Sequence, residues 1–264
     1  MGKLVSQAKP NYPAGHDLLA GRTVVITAAA GTGVGFATAK RCVEEGARVV
    51  ISDRHERRLG QAAEQLSQIA AVPVVGVPCD VTIQDDVDRL FQTAIAEIGH
   101  IDVLVNNAAL GIMSSIVDMS DETWFKVLDV TLNGTFRCTR AALRHMIPRS
   151  SGAIVNLASV VGWRGDANAA PYAAAKAGVM ALTRSAAREA GPSGVRVNAV
   201  APSIAMHESL SKAWDAATLE ELLKQEIFGR GAELWEVANT IVWLASDYSS
   251  YLSGESISVS SQHP

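Results

Sequence analysis

The chain has 264 residues, 48% of them hydrophobic and 19% charged, with a formal net charge of -4. That length suits one large domain with a substantial core, and the slight acid excess speaks against a nucleic-acid footprint. No run of residues approaches the ~18 consecutive apolar positions of a membrane span.

The N-terminal stretch M-G-K-L-V-S-Q-A-K-P-N-Y-P lacks the apolar stretch of a signal peptide. It reads as an arm, residues 1–20, before a single domain over 21–264. From there short β-branched runs alternate with helical stretches. Strands are predicted at Thr23–Thr27, Arg48–Ser52, Val72–Val77, Val103–Asn106, Ala153–Leu157, Arg196–Val200 and Ser256–Val259. Helices are predicted at Gly35–Glu45, Arg57–Ile69, Ile83–Ile98, Asp121–Met146, Tyr172–Ala190 and Leu234–Ala245. The strands are continuous apolar runs, as expected when helices cover both sheet faces. The pattern predicts an α/β fold, a Rossmann-type doubly wound sheet of seven mainly parallel strands joined by right-handed crossovers. Residues 203–230 break the rhythm. They mix Met206, Trp214, Leu219, Leu222, Leu223, Ile227 and Phe228 with acids, which predicts a helical lobe over a pocket.

After the first strand comes T-A-A-A-G-T-G-V-G, with Gly31, Gly33 and Gly35. Glycines there permit a tight turn and let backbone N–H groups at a helix N-terminus approach a pyrophosphate. Asp53 ends the second strand, where a carboxylate can accept hydrogen bonds from adenosine ribose hydroxyls, or can simply cap the next helix. The basic cluster Arg54–Arg58, broken by Glu56, reads as a solvated helix start. Further on, Tyr172 and Lys176 stand four residues apart in P-Y-A-A-A-K-A-G, on one face of an alanine-rich helix. An ammonium beside a phenol favours the phenolate, which suits an acid/base trading a proton with an alcohol or carbonyl. A surface tyrosine with a solvated lysine is the plainer reading of the spacing alone. Cys42, Cys79 and Cys138 have no metal-ligand spacing and read as buried thiols of a reducing cytoplasm. No metal is expected.

These motifs occur together with Cys79-Asp80-Val81, Asn106-Asn107-Ala108-Ala109, the serine of N-L-A-S-V-V-G and the closing G-R, E-V-A, L-A-S-D and Y-L-S-G-E segments. In that order they resemble the short-chain dehydrogenase/reductase family, in its classical group, over nearly the whole chain. The texture is similar to 3-oxoacyl-carrier-protein reductases and to dehydrogenases of acyl-CoA and steroid breakdown, and S-D-R-H-E-R-R-L and S-V-S-S-Q resemble an actinobacterial steroid-catabolic subgroup. The resemblance implies Tyr172 as acid/base, Lys176 as the lysine that binds the nicotinamide ribose and lowers the tyrosine pKa, and Ser159 as the partner of the substrate oxygen. It further implies Asp80 beside adenine. Val81, Asn107 and Ala108, Val34 of the glycine loop, and Pro202 and Ile204 after the sixth strand line the cofactor. Asp53 implies NAD, while Arg54 keeps NADP open. Related enzymes pair through the helices around Asp121–Met146 and Tyr172–Ala190, which implies a homotetramer in the cytoplasm.

Three positions depart from the family pattern. Ala28 stands where the first glycine belongs, and Gly31 is expected to supply the missing backbone freedom. Thr131 aligns with a helix-borne asparagine that helps hold a proton-relay water, and is carried as a fourth catalytic candidate. Its alternative is a helix residue bonded to its own i−4 carbonyl. His207 stands where a threonine near the nicotinamide amide often lies, either as a substrate contact or as a helix start. The activity implied is NAD(P)-dependent interconversion of a secondary alcohol and a ketone on a bulky apolar small molecule, a hydroxyacyl-CoA or steroid-derived compound. The alternatives are an NADPH-dependent 3-oxoacyl thioester reductase and, from another class, a catalytically silent nucleotide-binding regulator or scaffold.

Overall fold

Alternation along the short apolar strands decides where the core lies. Val24 and Ile26 point to one face of the sheet and Val25 to the other, and all three are fully buried. A computed structural model describes residues 9–207 and 215–261. Its strands are β1 (Thr23–Ile26), β2 (Arg48–Asp53), β3 (Val75–Pro78), β4 (Val103–Asn106), β5 (Gly152–Leu157), β6 (Val195–Pro202) and β7 (Ser256–Val259). They form one seven-stranded sheet in the order β3-β2-β1-β4-β5-β6-β7, and every pairing is parallel. The strand order reverses between β1 and β4, the point at which open α/β sheets make a crevice outside their carboxyl ends.

Helices cover both faces. On one side lie α1 (Val34–Glu44), α2 (Glu56–Ser67) and the helix Leu234–Ala245. On the other lie α3 (Gln84–Ile98), the helix Gly134–Met146 and the helix Ala170–Ala190. Between these come α4 (Asp121–Leu128), the short helix α6 (Val161–Arg164) and, in the described part of the expected lobe, α8 (Ala216–Leu223). In chain order the three longer helices just named are α5, α7 and α9. Trp214 of that lobe lies outside the described residues. Among the described residues no helix is long and apolar enough to cross a membrane.

Two element predictions need correction. The third strand starts at Val75 instead of Val72, because its register with β2 pairs Val50 with Val75. The expected single helix Asp121–Met146 is interrupted by a π turn, Asp129–Asn133, in which the Gly134 N–H donates to the Asp129 carbonyl. Gly134 then lets α5 close on the sheet side, since a Cβ there would come within 2.6 Å of Val81 Cγ2. α4 begins where Ser120 accepts from the Thr123 N–H at 3.2 Å, with Asp121 and Glu122 in its first turn.

The described part of the N-terminal arm is docked on the domain. The Tyr12 hydroxyl donates to Glu44 at 2.5 Å, and its ring meets Trp235 edge-on at 5.5 Å. The Lys40 ammonium sits 4.7 Å from the Tyr12 ring centroid. The arm therefore ties α1 to α9. Cys42, Cys79 and Cys138 are all buried and free, and burial pushes the first two thiols up to about 12.

Candidate active site

The crevice at the strand ends is built from β1 outward. The Thr27 hydroxyl accepts from the backbone N–H groups of Asn107 and Ala108 at 3.0 and 3.2 Å, tying the turn after β1 to the turn after β4. The Asn107 amide donates to the carbonyls of Thr27 and Ala28 at 3.0 and 2.9 Å. Gly35 is required by close approach. A Cβ there would strike the Asn107 amide and come within 2.7 Å of the Ala28 carbonyl oxygen. The expectation that Gly31 supplies the missing backbone freedom is corrected. Ala28 itself takes the left-handed conformation, with φ 53, and neither Gly31 nor Gly33 has a positive φ. The strain sits on an alanine, held there by the Asn107 hydrogen bonds.

Over this turn lies a cleft of about 600 Å³ whose walls include Gly31, Gly33, Val34, Gly35, Ser159, Tyr172, Pro202, Ile204 and His207. A cavity of about 200 Å³, walled by Arg54, Asp80, Val81, Ala108 and Leu110, adjoins it, and Asp53 and Arg58 belong to both. Asp53 does not cap α2, whose N-cap is His55. One carboxylate oxygen accepts from the His55 N–H at 3.0 Å and the other lies 3.4 Å from the Ala30 N–H, so the group is aimed at the glycine turn. Asp80 accepts from the Thr82 N–H and hydroxyl at 2.9 and 2.7 Å, a local turn that fixes this wall. Asn106 is buried behind the site, and donates to Thr139 and Asn156 at 3.0 and 2.8 Å.

Ser159 follows β5 and accepts from the Val161 N–H at 3.3 Å. Tyr172 and Lys176 share one face of α7, as their spacing predicts. Lys176 is almost wholly buried, and its ammonium donates to the Leu157 carbonyl at 2.5 Å while lying 5.4 Å from the Tyr172 ring centroid. Burial lowers its pKa to about 7. Burial raises Tyr172 above its ordinary value, and the hydrogen bond with Ser159 pulls it the other way. The expectation that the lysine brings the phenol down is therefore corrected for the protein alone. The ammonium faces the ring and a carbonyl, and its own charge is disfavoured by burial.

Thr131 is fully buried in the π turn. Its hydroxyl accepts from the Leu110 N–H at 3.0 Å and faces the Leu110 carbonyl at 3.4 Å. It does not bond to its i−4 carbonyl. Asn133, two positions on, is exposed and donates to Asp129 at 3.1 Å. His207 lines the cleft, and burial lowers its pKa. Trp163 and Met113 are exposed and absent from the described cleft walls, and Met206 packs against Gly231. Arg164, Asp166 and Leu222 line the cleft, and so does Arg58, which the sequence reading left in a solvated helix start. Arg58 had a visible signal, lying five residues after Asp53 in the first turn of the next helix.

A glycine turn that only a Cβ-free residue can close, a carboxylate at the end of β2, and a serine–tyrosine–lysine set beside the same cleft define a Rossmann-type nucleotide-dependent oxidoreductase. Residues 28–261 match the family model described as Enoyl-(Acyl carrier protein) reductase. A curated relative from Mycobacterium tuberculosis is 57% identical over 97% of this chain and 98% of its own length. It is named (5R,7aS)-5-hydroxy-7a-methyl-1-oxo-2,3,5,6,7,7a-hexahydro-1H-indene-carboxyl-CoA reductase. A 3-oxoacyl-[acyl-carrier-protein] reductase from Staphylococcus aureus is 34% identical over 90% of this chain and 96% of its own. Among solved structures, a short chain dehydrogenase from Mycobacterium smegmatis superposes with TM-score 0.87 at 52% identity, covering 98% of this chain and 99% of that one. The chain belongs to the short-chain dehydrogenase/reductase family, and is an NAD(P)-dependent oxidoreductase acting on CH–OH groups.

Proposed function

We propose that this protein interconverts a secondary alcohol and a ketone on a CoA thioester of a bulky, steroid-derived ring acid, with NAD as its preferred cofactor. The observation that carries the reading is the placement of Ser159 and Tyr172 on the wall of the cleft that the glycine turn and Asp53 also line, with Lys176 buried behind them. A dinucleotide fits this cradle because the Gly35 position leaves room for nothing larger than hydrogen beside the turn, and because the cleft and its side cavity run together at Asp53. Gly31, Gly33, Val34 and Gly35 would face the pyrophosphate. Asp53 would take the adenosine ribose, Asp80 and Val81 the adenine side, and Asn107, Ala108, Pro202 and Ile204 the remaining walls. Bound there, the nicotinamide gives or accepts the hydride.

Tyr172 exchanges the proton with the substrate oxygen, and Ser159 steadies that oxygen as its charge changes. The raised proton affinity of Tyr172 favours the protonated phenol, the form that donates to a ketone. Oxidation of an alcohol needs the phenolate, and so needs Lys176 charged and held by ribose hydroxyls. Leu222 and His207 in the cleft wall support residues 203–230 as the substrate-covering lobe. The substrate class follows the ring-acid CoA thioester named for the relative at 57% identity.

A second reading, an NADPH-dependent 3-oxoacyl thioester reductase, is favoured by Arg54 and Arg58 in the cavity beside Asp53, where they would meet a 2'-phosphate. Turnover of hydroxyacyl-CoA thioesters and hydroxysteroids with NAD and NADP in parallel, followed at the reduced-nicotinamide absorbance, separates the two. Cofactor binding with no absorbance change on any alcohol or ketone overturns both and leaves a silent nucleotide-binding protein. We further propose a cytoplasmic homotetramer, supported by an apolar groove of about 440 Å³ between α5 and α7, walled by Phe136, Leu143, Ile147 and Leu182. A monomer of 27.8 kDa by light scattering at micromolar concentration would remove it.

A further inference from the structure

Thr131 stands in the only π turn among the described helices, and its polar groups are spoken for. A hydroxyl has one proton to give. That of Thr131 faces the Leu110 carbonyl at 3.4 Å, while its oxygen accepts from the Leu110 N–H at 3.0 Å. The Thr131 carbonyl accepts the Thr135 hydroxyl at 2.8 Å. One side chain thus holds both backbone groups of a single loop residue at a fully buried position. The turn itself is braced from the other side. A Cβ at Gly178 of α7 would come within 2.8 Å of Leu132 Cδ2, so α7 rests directly on the residue after Thr131.

The strip that Thr131 holds touches the chemistry at two places. Leu110 walls the cavity shared with Asp53, Arg54 and Asp80. At Gly111, the next residue, the backbone passes beside the Tyr172 ring, since a Cβ added there would stand 3.8 Å from its Cδ2. Moving Leu110–Gly111 would therefore move a wall of the adenosine-side cavity and the backbone beside the Tyr172 ring together.

We propose that Thr131 is a positioning residue, whose hydroxyl clamps Leu110 and so sets the Leu110–Gly111 strip against Tyr172 and the cofactor cavity, and that it carries no proton. This rests on the functional reading above for the role of Tyr172, but its first test needs no substrate. NADH binding, read by fluorescence, is expected to weaken about five- to thirtyfold in Thr131→Val, the loss typical of removing a buried partner from backbone groups. Thr131→Ser keeps the hydroxyl and is expected to bind within twofold of wild type. With a substrate in hand, Thr131→Val lowers kcat by a similar factor, serine restores it, the solvent deuterium isotope effect stays at the wild-type value, and added amine buffers bring no recovery. Melting temperature serves as the control for folding. Should the valine variant not fold, Thr131→Ala, which adds no methyl in place of the hydroxyl, carries the same expectations. NADH binding and turnover within twofold of wild type in the valine or alanine variant overturns the clamp. A raised solvent isotope effect, or rescue by amine buffers, overturns it in favour of a relay. If the wild type binds NADH but turns over no alcohol or ketone, the functional reading fails while the binding arm still decides the clamp.

Discussion

Lys176 should make cofactor affinity fall as pH rises from about 7 to 9. Its side chain is almost wholly buried, and burial holds its pKa at about 7 against an ordinary 10.5. A group that folding makes a weaker base binds fewer protons folded than unfolded across that window. The protein alone therefore gains stability as pH rises from about 7 towards 10.5, and bears the full cost of the buried charge below 7. A bound cofactor reverses the preference, because ribose hydroxyls and the pyrophosphate favour the ammonium. Binding then takes up a proton above pH 7. Between pH 7 and pH 9 the charged fraction in the free protein falls from about one half to about one hundredth, so the apparent Kd for NADH should rise roughly 50-fold. Tyr172, held above its ordinary value, stays protonated through this window, and His207, held below its own, is neutral there. The measurement is an NADH fluorescence titration at half-unit steps, repeated in Lys176→Met, where the slope should vanish. A Kd that changes less than threefold over the window, or a slope that survives in the methionine variant, refutes the reasoning.

Tyr172→Phe should leave NADH affinity within twofold of wild type and lower kcat by ~10²–10⁴; a tenth or more of wild-type turnover removes Tyr172 from proton exchange. Asp53→Ala should weaken NAD binding about tenfold, as expected for hydrogen bonds to a partly exposed carboxylate, and narrow the margin over NADP. Dissociation constants for both cofactors decide it, and a wild type that already prefers NADP shows that Arg54 and Arg58 outweigh Asp53. Ala28→Gly should relieve ~1–2 kcal/mol of left-handed strain at φ 53, less ~0.4–1 kcal/mol for the freer unfolded chain. Its melting temperature should equal or exceed that of wild type, whereas Ala30→Gly, at a buried position without a positive φ, should lower it by ~2–4 °C. Equal losses in the two variants would show that the Ala28 backbone carries no strain.

The parts of this fold that were legible are those that local chemistry dictates. Val103–Asn106 and Ser256–Val259 are strands where their β-branched runs lie, and Leu234–Ala245 is a helix where its pattern lies, opened by a Glu233/Glu236 capping box. Tyr172 and Lys176 were legible for the same reason, since a four-residue interval fixes a shared helix face. What that interval does not carry is the environment. Nothing local to P-Y-A-A-A-K-A-G says that the lysine will be buried against the Leu157 carbonyl and lose proton affinity. The π turn was equally invisible. D-V-T-L-N has no proline or glycine to break a helix, and the extra residue per turn is fitted by distant partners, Leu110 against Thr131 and Val81 against Gly134.

The two departures from the family pattern that most invite a loss-of-function reading meet on one loop. Ala28 holds a conformation that favours glycine, and its carbonyl is fixed there by the Asn107 amide at 2.9 Å. Thr131 lacks the amide of its family counterpart, and its hydroxyl fixes Leu110 three residues after Asn107. The segment Asn107–Gly111 is therefore braced at one end by the first βα turn and at the other by the π turn, and it walls the cofactor cavity and runs beside the Tyr172 ring. A strained alanine costs on the order of 1–2 kcal/mol. Two hydrogen bonds from Asn107 to the Thr27 and Ala28 carbonyls, each contributing ~1 kcal/mol, are of the size needed to offset it. A chain drifting away from catalysis would be free to relax both positions. Here each is compensated by contacts that end on the same strip of active-site backbone, which is the arrangement expected of a site that still has to hold a cofactor and a tyrosine in register.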